Sequence, residues 1–111
     1  MISHHKTRLY GLVFLLYILN MISVVFPAYN EEKNVAELHR RIVSALLKTG
    51  NDFEIIAIDN ASTDGTYTAL KKLSPVKIIR IAYNVGQTAA LDAGIHEAKG
   101  DIIVTLDADL Q

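Results

Sequence analysis

From residue 22 to residue 106 the chain alternates short runs of β-branched and aromatic residues with longer stretches whose apolar side chains return every three or four positions. The first pattern predicts strands at 22–26, 53–58, 76–81 and 102–106, and the second predicts helices between them. In the first helix Val35, Leu38, Ile42, Ala45 and Leu46 share a face. Asn30 is placed to cap it, Glu31 and Glu32 sit at the positive end of its dipole, and Gly50 is a stop signal. A second helix is expected from a Ser62 or Thr63 cap to about residue 73, where Ser74-Pro75 breaks it. The third spans 86–99, carries Ala89, Ala90, Ala93 and Ala98, and stops at Gly100.

Strands separated by helices form βαβ units, and right-handed crossovers make such strands parallel. Every strand-to-helix turn then lies on one edge of the sheet. The polar residues fall in those turns: 27–31 after the first strand, 59–65 after the second, 83–86 after the third and Asp107 onward after the fourth. In open α/β sheets a ligand crevice lies outside the carboxyl ends of the strands. Four segments far apart in sequence therefore point to one place.

Residues 1–20 differ in character. A basic stretch, His4-His5-Lys6-Thr7-Arg8, precedes eleven nearly unbroken apolar positions, 9–19. This resembles the start of a signal peptide, but no small-residue cleavage site follows, and eleven residues are too few to cross a bilayer. Residues 1–20 are read as an apolar extension and 21–111 as the folded part, with Met21 as the functional start; a peripheral membrane anchor is the rival reading.

Composition narrows the possibilities. Among 111 residues, 11 basic side chains face 12 acidic ones, so no basic surface marks a nucleic-acid binder. Cysteine is absent, which removes disulfides and thiolate metal sites. His4, His5, His39 and His96 are not at ligand spacing and are expected on the surface, and Lys71, Lys72, Lys77 and Arg80 read as a solvated face.

Three segments carry candidate chemistry. Asp107-Ala108-Asp109-Leu110-Gln111 follows an apolar strand, and alternation sends Asp107, Asp109 and Gln111 to one side, where their oxygens can converge on a hard cation such as Mg²⁺ or Mn²⁺. Such an ion would hold a diphosphate and cancel charge on a departing phosphate. Asp59 ends a strand and, as a carboxylate, only accepts hydrogen bonds, which suits an imide or amide N–H on a nucleobase edge. Tyr29, in Pro27-Ala28-Tyr29-Asn30-Glu31, can stack on a base or simply pack its turn. Asp64 and Thr66 are explained by turn and cap chemistry, and Asn84-Val85-Gly86 by a turn into a helix.

Taken together, residues 24–32, 58–66, Asn84 to Leu91 with Gly94, and Gly100-Asp101 leading to Asp107-Ala108-Asp109-Leu110-Gln111 resemble the family 2 glycosyltransferases, and within them the polyprenyl-phosphate and dolichyl-phosphate sugar transferases. The resemblance implies a GT-A fold, an α/β arrangement of parallel strands with flanking helices, and a nucleotide-diphosphate sugar donor, UDP- or GDP-linked. It implies that Pro27, Tyr29, Glu31 and Asp59 line the nucleoside pocket with Asp107, Ala108 and Asp109 beside them. Asp107 and Asp109 form the catalytic Asp-x-Asp element, and Asp109, Gln111 and Asp107 hold Mg²⁺ or Mn²⁺. Transfer would invert the anomeric carbon, with a polyprenyl phosphate as acceptor at the cytoplasmic face of a membrane. Asn60-Ala61 departs from the acid-glycine pair common in the family, which leaves base preference open.

The acceptor half, any catalytic base and the membrane-contacting elements are expected beyond Gln111. On that expectation the chain binds donor and metal without turnover, and its fourth strand has a bare edge. Two other readings stand beside this one. A nucleotidyltransferase would place a glycine-rich phosphate loop after the first strand, where this chain has Pro-Ala-Tyr-Asn-Glu. A non-catalytic nucleotide-binding remnant would keep the pocket alone. A dinucleotide-binding dehydrogenase is excluded, since no Gly-x-Gly-x-x-Gly occurs.

Overall fold

A computed structural model describes Gly11 and residues 20–108. Four parallel strands, β1 (Met21–Ala28), β2 (Asp52–Asn60), β3 (Lys77–Ile81) and β4 (Ile102–Thr105), alternate with three helices, α1 (Val35–Leu47), α2 (Thr66–Lys71) and α3 (Gln87–Glu97). The spatial order is β3-β2-β1-β4. The chain therefore winds outward from β1 through β2 to β3, then crosses back to place β4 on the other side of β1.

That reversal decides where the helices lie. A right-handed crossover puts its helix on one face when the chain moves one way along the sheet and on the other face when it turns back. Val35, Leu38, Ile42 and Leu46 of α1 and Leu70 of α2 accordingly join Ile22, Val24, Phe26, Ile55 and Ala57 in one core layer. Ala90 of α3 packs with Val25, Ile56 and Ile58 on the opposite face. The alternation of odd and even positions along β1 and β2 separates the two layers. Gly94 lets α3 approach closely, because a Cβ there would collide with side-chain atoms of Val25 and Ile58.

Several local expectations change. Asn30 does not cap α1, whose N-cap is Asn34, four residues later; with a φ of 53° it instead sits in the left-handed region. Neither Ser62 nor Thr63 caps α2, whose N-cap is Gly65. The reason is common to both: their side chains bond across to the neighbouring turn rather than along their own chain. Ala45 is exposed, one step off the α1 stripe. His39, expected at the surface, is buried at 7 % exposure, with Nε2 2.9 Å from the carbonyl oxygen of Pro75. His96 is exposed, 3.5 Å from Asp92.

At the amino-terminal edge the α3–β4 turn is bonded into the sheet. The Ser23 hydroxyl donates to Glu54 Oε2 at 2.6 Å and accepts the Gly100 N–H at 2.8 Å. The Lys99 N–H reaches the same Glu54 oxygen at 2.6 Å, and the Met21 N–H bonds Asp101 Oδ2 at 2.9 Å. Burial opposes ionisation of Glu54, but the Ser23 and Lys99 donors outweigh it and hold the carboxyl below its ordinary value.

β4 is paired on one side only among the described residues, with β1. Ile102, Ile103, Val104 and Leu106 are 37–45 % exposed there. Among the described residues no helix is long and apolar enough to cross a membrane.

Candidate functional site

A cavity of about 200 Å³ opens at the carboxyl edge of the sheet. It is lined by Pro27 and Ala28 at the end of β1, Tyr29 and Glu31 after it, Asn60 at the end of β2, Gln87 at the start of α3, and Asp107 and Ala108 after β4. β1 stands at its centre because the chain reverses direction there, and neighbouring strands whose connections run to opposite faces leave a gap between their exits.

Two of the turns are tied to each other by side chains. Asn30 Oδ1 accepts the N–H of Thr63 at 2.8 Å, while the Asn30 N–H donates to Ser62 Oγ at 3.0 Å. The Glu31 N–H donates to Thr66 Oγ1 at 2.8 Å, and Glu32 Oε2 accepts the Gly65 N–H at 3.1 Å. These bonds clasp the β1–α1 turn to the β2–α2 turn. They also explain the positive φ of Asn30 and of Ala61, since both residues must bend the backbone to meet the clasp. Asp64 serves the same turn by accepting Thr66 donors, which lower its pKa, the hydroxyl first.

Asp59 and Asn60 point to opposite faces, as consecutive strand residues must. Asn60 faces α3. Its Nδ2 donates to Asn84 Oδ1 at 3.2 Å and its Oδ1 accepts the Val85 N–H at 3.1 Å, so both halves of the amide hold the β3–α3 loop. Asn84 Oδ1 also accepts the Gly86 N–H at 2.8 Å. Gly86, at a φ of 86°, then turns the chain into α3.

Asp59 faces α2 and is fully buried. One carboxylate oxygen accepts the Ser62 N–H at 3.1 Å; the other, Oδ2, has no hydrogen-bond partner among the described residues and lies 3.8 Å from Arg80 Nε. The Arg80 guanidinium stacks 4.0 Å from the centroid of Tyr67. Asp59 thus does not line the cavity directly, though it pairs in register with Ala28, which does. A second hollow, lined by Ala61, Ser62, Thr63, Arg80, Ile81 and Ala82, lies at the ends of β2 and β3.

Of the residues singled out in the sequence, Pro27, Tyr29, Glu31, Asp107 and Ala108 gather round the one cavity. Asp109 and Gln111 lie outside the described residues. Among the described residues no group of three His, Cys, Asp or Glu side chains is placed to hold an ion. Asp107 is exposed, and its Oδ1 accepts a 2.6 Å hydrogen bond from Gln87 Nε2. Sequence reasoning missed Asn60 and Gln87. The available signals were a second polar residue beside Asp59 at a strand end, and an amide directly after the glycine that opens α3.

The fold and the cavity define a doubly wound α/β protein that presents acids and amides at its switch point, the architecture of GT-A glycosyltransferases. The chain belongs to glycosyl transferase family 2, whose model matches residues 23–111. It is 41% identical over 100 residues to an undecaprenyl-phosphate 4-deoxy-4-formamido-L-arabinose transferase of Pseudomonas aeruginosa, covering 86% of this chain and 30% of that protein. It is 43% identical over 93 residues to a dolichol-phosphate mannosyltransferase of Pyrococcus furiosus, covering 81% of this chain and 26% of that one. Among solved structures, glucosyl-3-phosphoglycerate synthase from Mycobacterium tuberculosis in complex with Mn²⁺, UDP and glucosyl-3-phosphoglycerate superposes with a TM-score of 0.68 at 31% identity, over 83% of this chain and 34% of that one. The chain therefore spans about a third or less of the length of each.

Proposed function

We propose that this chain supplies the donor-binding part of a glycosyltransferase that moves a sugar from a nucleotide diphosphate to a polyprenyl phosphate with inversion at the anomeric carbon. The observation that carries the reading is the convergence of the turns after β1, β2 and β4 and the start of α3 on one cavity at the switch point. The names of the relatives, one an undecaprenyl-phosphate transferase and the other a dolichol-phosphate transferase, support a lipid phosphate as acceptor. A lipid acceptor places the reaction at a membrane surface, here taken as the cytoplasmic face.

Each residue has a separate task. Tyr29, 47 % exposed, offers a ring face for the nucleobase, with Pro27 and Glu31 shaping the pocket around it. Asp59 keeps a carboxylate oxygen that has no hydrogen-bond partner among the described residues and lies 3.8 Å from Arg80 Nε, an acceptor suited to a base N–H beside the cavity wall at Ala28. The carboxylate of Asp107 at the cavity edge is a hard oxygen donor, which suits a divalent cation. Asp107 with Asp109 and Gln111 would hold Mg²⁺ or Mn²⁺, which supplies charge neutralisation of the diphosphate. The transfer forms a bond from an acceptor phosphate oxygen to C1 while the C1–O bond to the nucleotide diphosphate breaks, its electrons leaving with the diphosphate. An acceptor phosphate is already anionic at neutral pH, so it needs less help from a general base than a sugar hydroxyl does. Residues 21–111 are assigned the donor and the ion; acceptor recognition is assigned elsewhere.

Thermal-shift titration of the 111-residue chain with UDP-, GDP- and CMP-linked sugars, each with and without Mn²⁺, tests this. A Mn²⁺-dependent stabilisation by the UDP or GDP compound supports it, and no stabilisation by any of them contradicts it.

A further inference from the structure

Asp107 lies two residues past the end of β4, where the backbone is tied back by the Leu106 N–H on the Val25 carbonyl at 3.0 Å. Its side chain is exposed, and among the described residues its hydrogen-bond partner is Gln87, at 2.6 Å. Gln87 in turn is the first residue of α3, and its place is set from β2: Asn60 holds Asn84 and Val85, Asn84 holds the Gly86 N–H, and Gly86 turns directly into Gln87. A line of amides thus runs from the end of β2 to the carboxylate after β4, and its two ends, Asn60 and Gln87, line the cavity. An exposed aspartate has a rotatable side chain, and a single donor is enough to select one setting of it. That the donor is an amide matters: a lysine or arginine there would fix the carboxylate equally well but cancel its charge, whereas a neutral N–H orients it and leaves the negative charge for a ligand.

We infer that Gln87 is a positioning residue for the donor site, presenting the Asp107 carboxylate to a divalent cation bound with a nucleotide diphosphate while preserving its charge. The inference rests on the reading of the cavity given above. The test is a Mn²⁺ titration of the 111-residue chain followed by electron paramagnetic resonance, with UDP or GDP present, for the wild type, Gln87→Met and Gln87→Lys. Methionine keeps the length and helix preference of glutamine and removes the donor. Gln87→Met is expected to weaken Mn²⁺ binding about three- to tenfold, the range for one lost hydrogen bond. Gln87→Lys is expected to weaken it further, because its charge opposes the ion. Metal-free binding of uridine or guanosine and the thermal midpoint should stay at wild-type values in both variants.

Equal Mn²⁺ affinity in the wild type and Gln87→Met overturns the inference and leaves the donor-site reading standing. A parallel fall in metal binding, nucleoside binding and thermal midpoint also overturns it, since that is the signature of a merely structural residue. A wild-type chain that takes up no Mn²⁺ with either nucleotide removes the donor-site reading and this inference with it.

Discussion

The two ends of the same four strands are built differently. At the amino-terminal edge, Ser23, Glu54, Lys99 and Gly100 saturate one another with short hydrogen bonds, and the approach is so close that a Cβ on Gly100 would lie 2.5 Å from Ser23 Oγ and 2.7 Å from the Met21 carbonyl oxygen. At the carboxyl edge, Asn30 and Ala61 hold left-handed backbone conformations, a buried oxygen of Asp59 has no hydrogen-bond partner among the described residues, and Asp107 stands exposed beside a cavity. Unmet polar groups cost stability, and among the described residues one, Asn51 Oδ1, lies at the amino-terminal edge as well, so it is the exposed Asp107 and the cavity beside it that set the carboxyl edge apart. The sheet keeps its register from one end and offers its chemistry at the other.

Breaking the closed end should have the largest effect. Gly100→Ala places a methyl group against backbone atoms that cannot move without disturbing β1, so urea unfolding is expected to show a loss of about 3 kcal/mol. Nucleotide affinity of the fraction still folded should be unchanged. Asp107→Ala is the opposite case. Its side chain is exposed, so stability should move by less than about 0.5 kcal/mol, while calorimetry should show Mn²⁺-dependent UDP or GDP binding reduced at least about tenfold, or 1.4 kcal/mol. A variant that lost both together at either position would erase the division between the two ends.

How much of this was legible in the sequence depends on the range of the interaction. Period-two and period-3.6 patterning is local, and all four strands and three helices are present where it placed them, with the boundaries shifted by a few residues. Pro27 near the end of β1 and the turn residues Tyr29, Glu31 and Asp107 were legible because a parallel sheet sends every strand exit to one edge. Strand order was not, since whether β4 joins β3 or returns beside β1 is settled by packing of both faces. Asn30 followed by two acids has the look of a helix cap, and only the neighbouring turn, 32 residues away at Ser62, makes it a clasp. His39 is a polar residue on a helix until the Pro75 carbonyl is brought to its ring. Asn60 looked like a departure from a motif; its partner is 24 residues downstream.

That last pair gives an intermediate test at the open end. Asn60→Asp would set a carboxylate against Asn84 Oδ1, and the Asn84 amide cannot turn round without losing its bond from the Gly86 N–H. Unfolding should show a loss of about 1–2 kcal/mol, together with faster amide exchange at Val85 and Gly86.

The smallest effect concerns pH at the closed end. Glu54 has a folded-state pKa below its ordinary 4.5, so its contribution to stability is present above that value and fades as pH falls through it toward the lowered one. The wild type is therefore expected to lose thermal stability faster than Glu54→Gln between about pH 5 and pH 3, with the two curves converging at the acid end.

On the proposed function, the carboxyl-edge cavity, and not another surface, receives the nucleotide diphosphate. Backbone amide chemical shifts of the 111-residue chain, followed while UDP or GDP is added with Mg²⁺, test it most directly. The resonances of Tyr29, Glu31, Asn60, Gln87 and Asp107 are expected to move together with one dissociation constant while Ser23, Glu54 and Gly100 stay fixed. Shifts centred on the amino-terminal edge, or none at any nucleotide concentration, would contradict it.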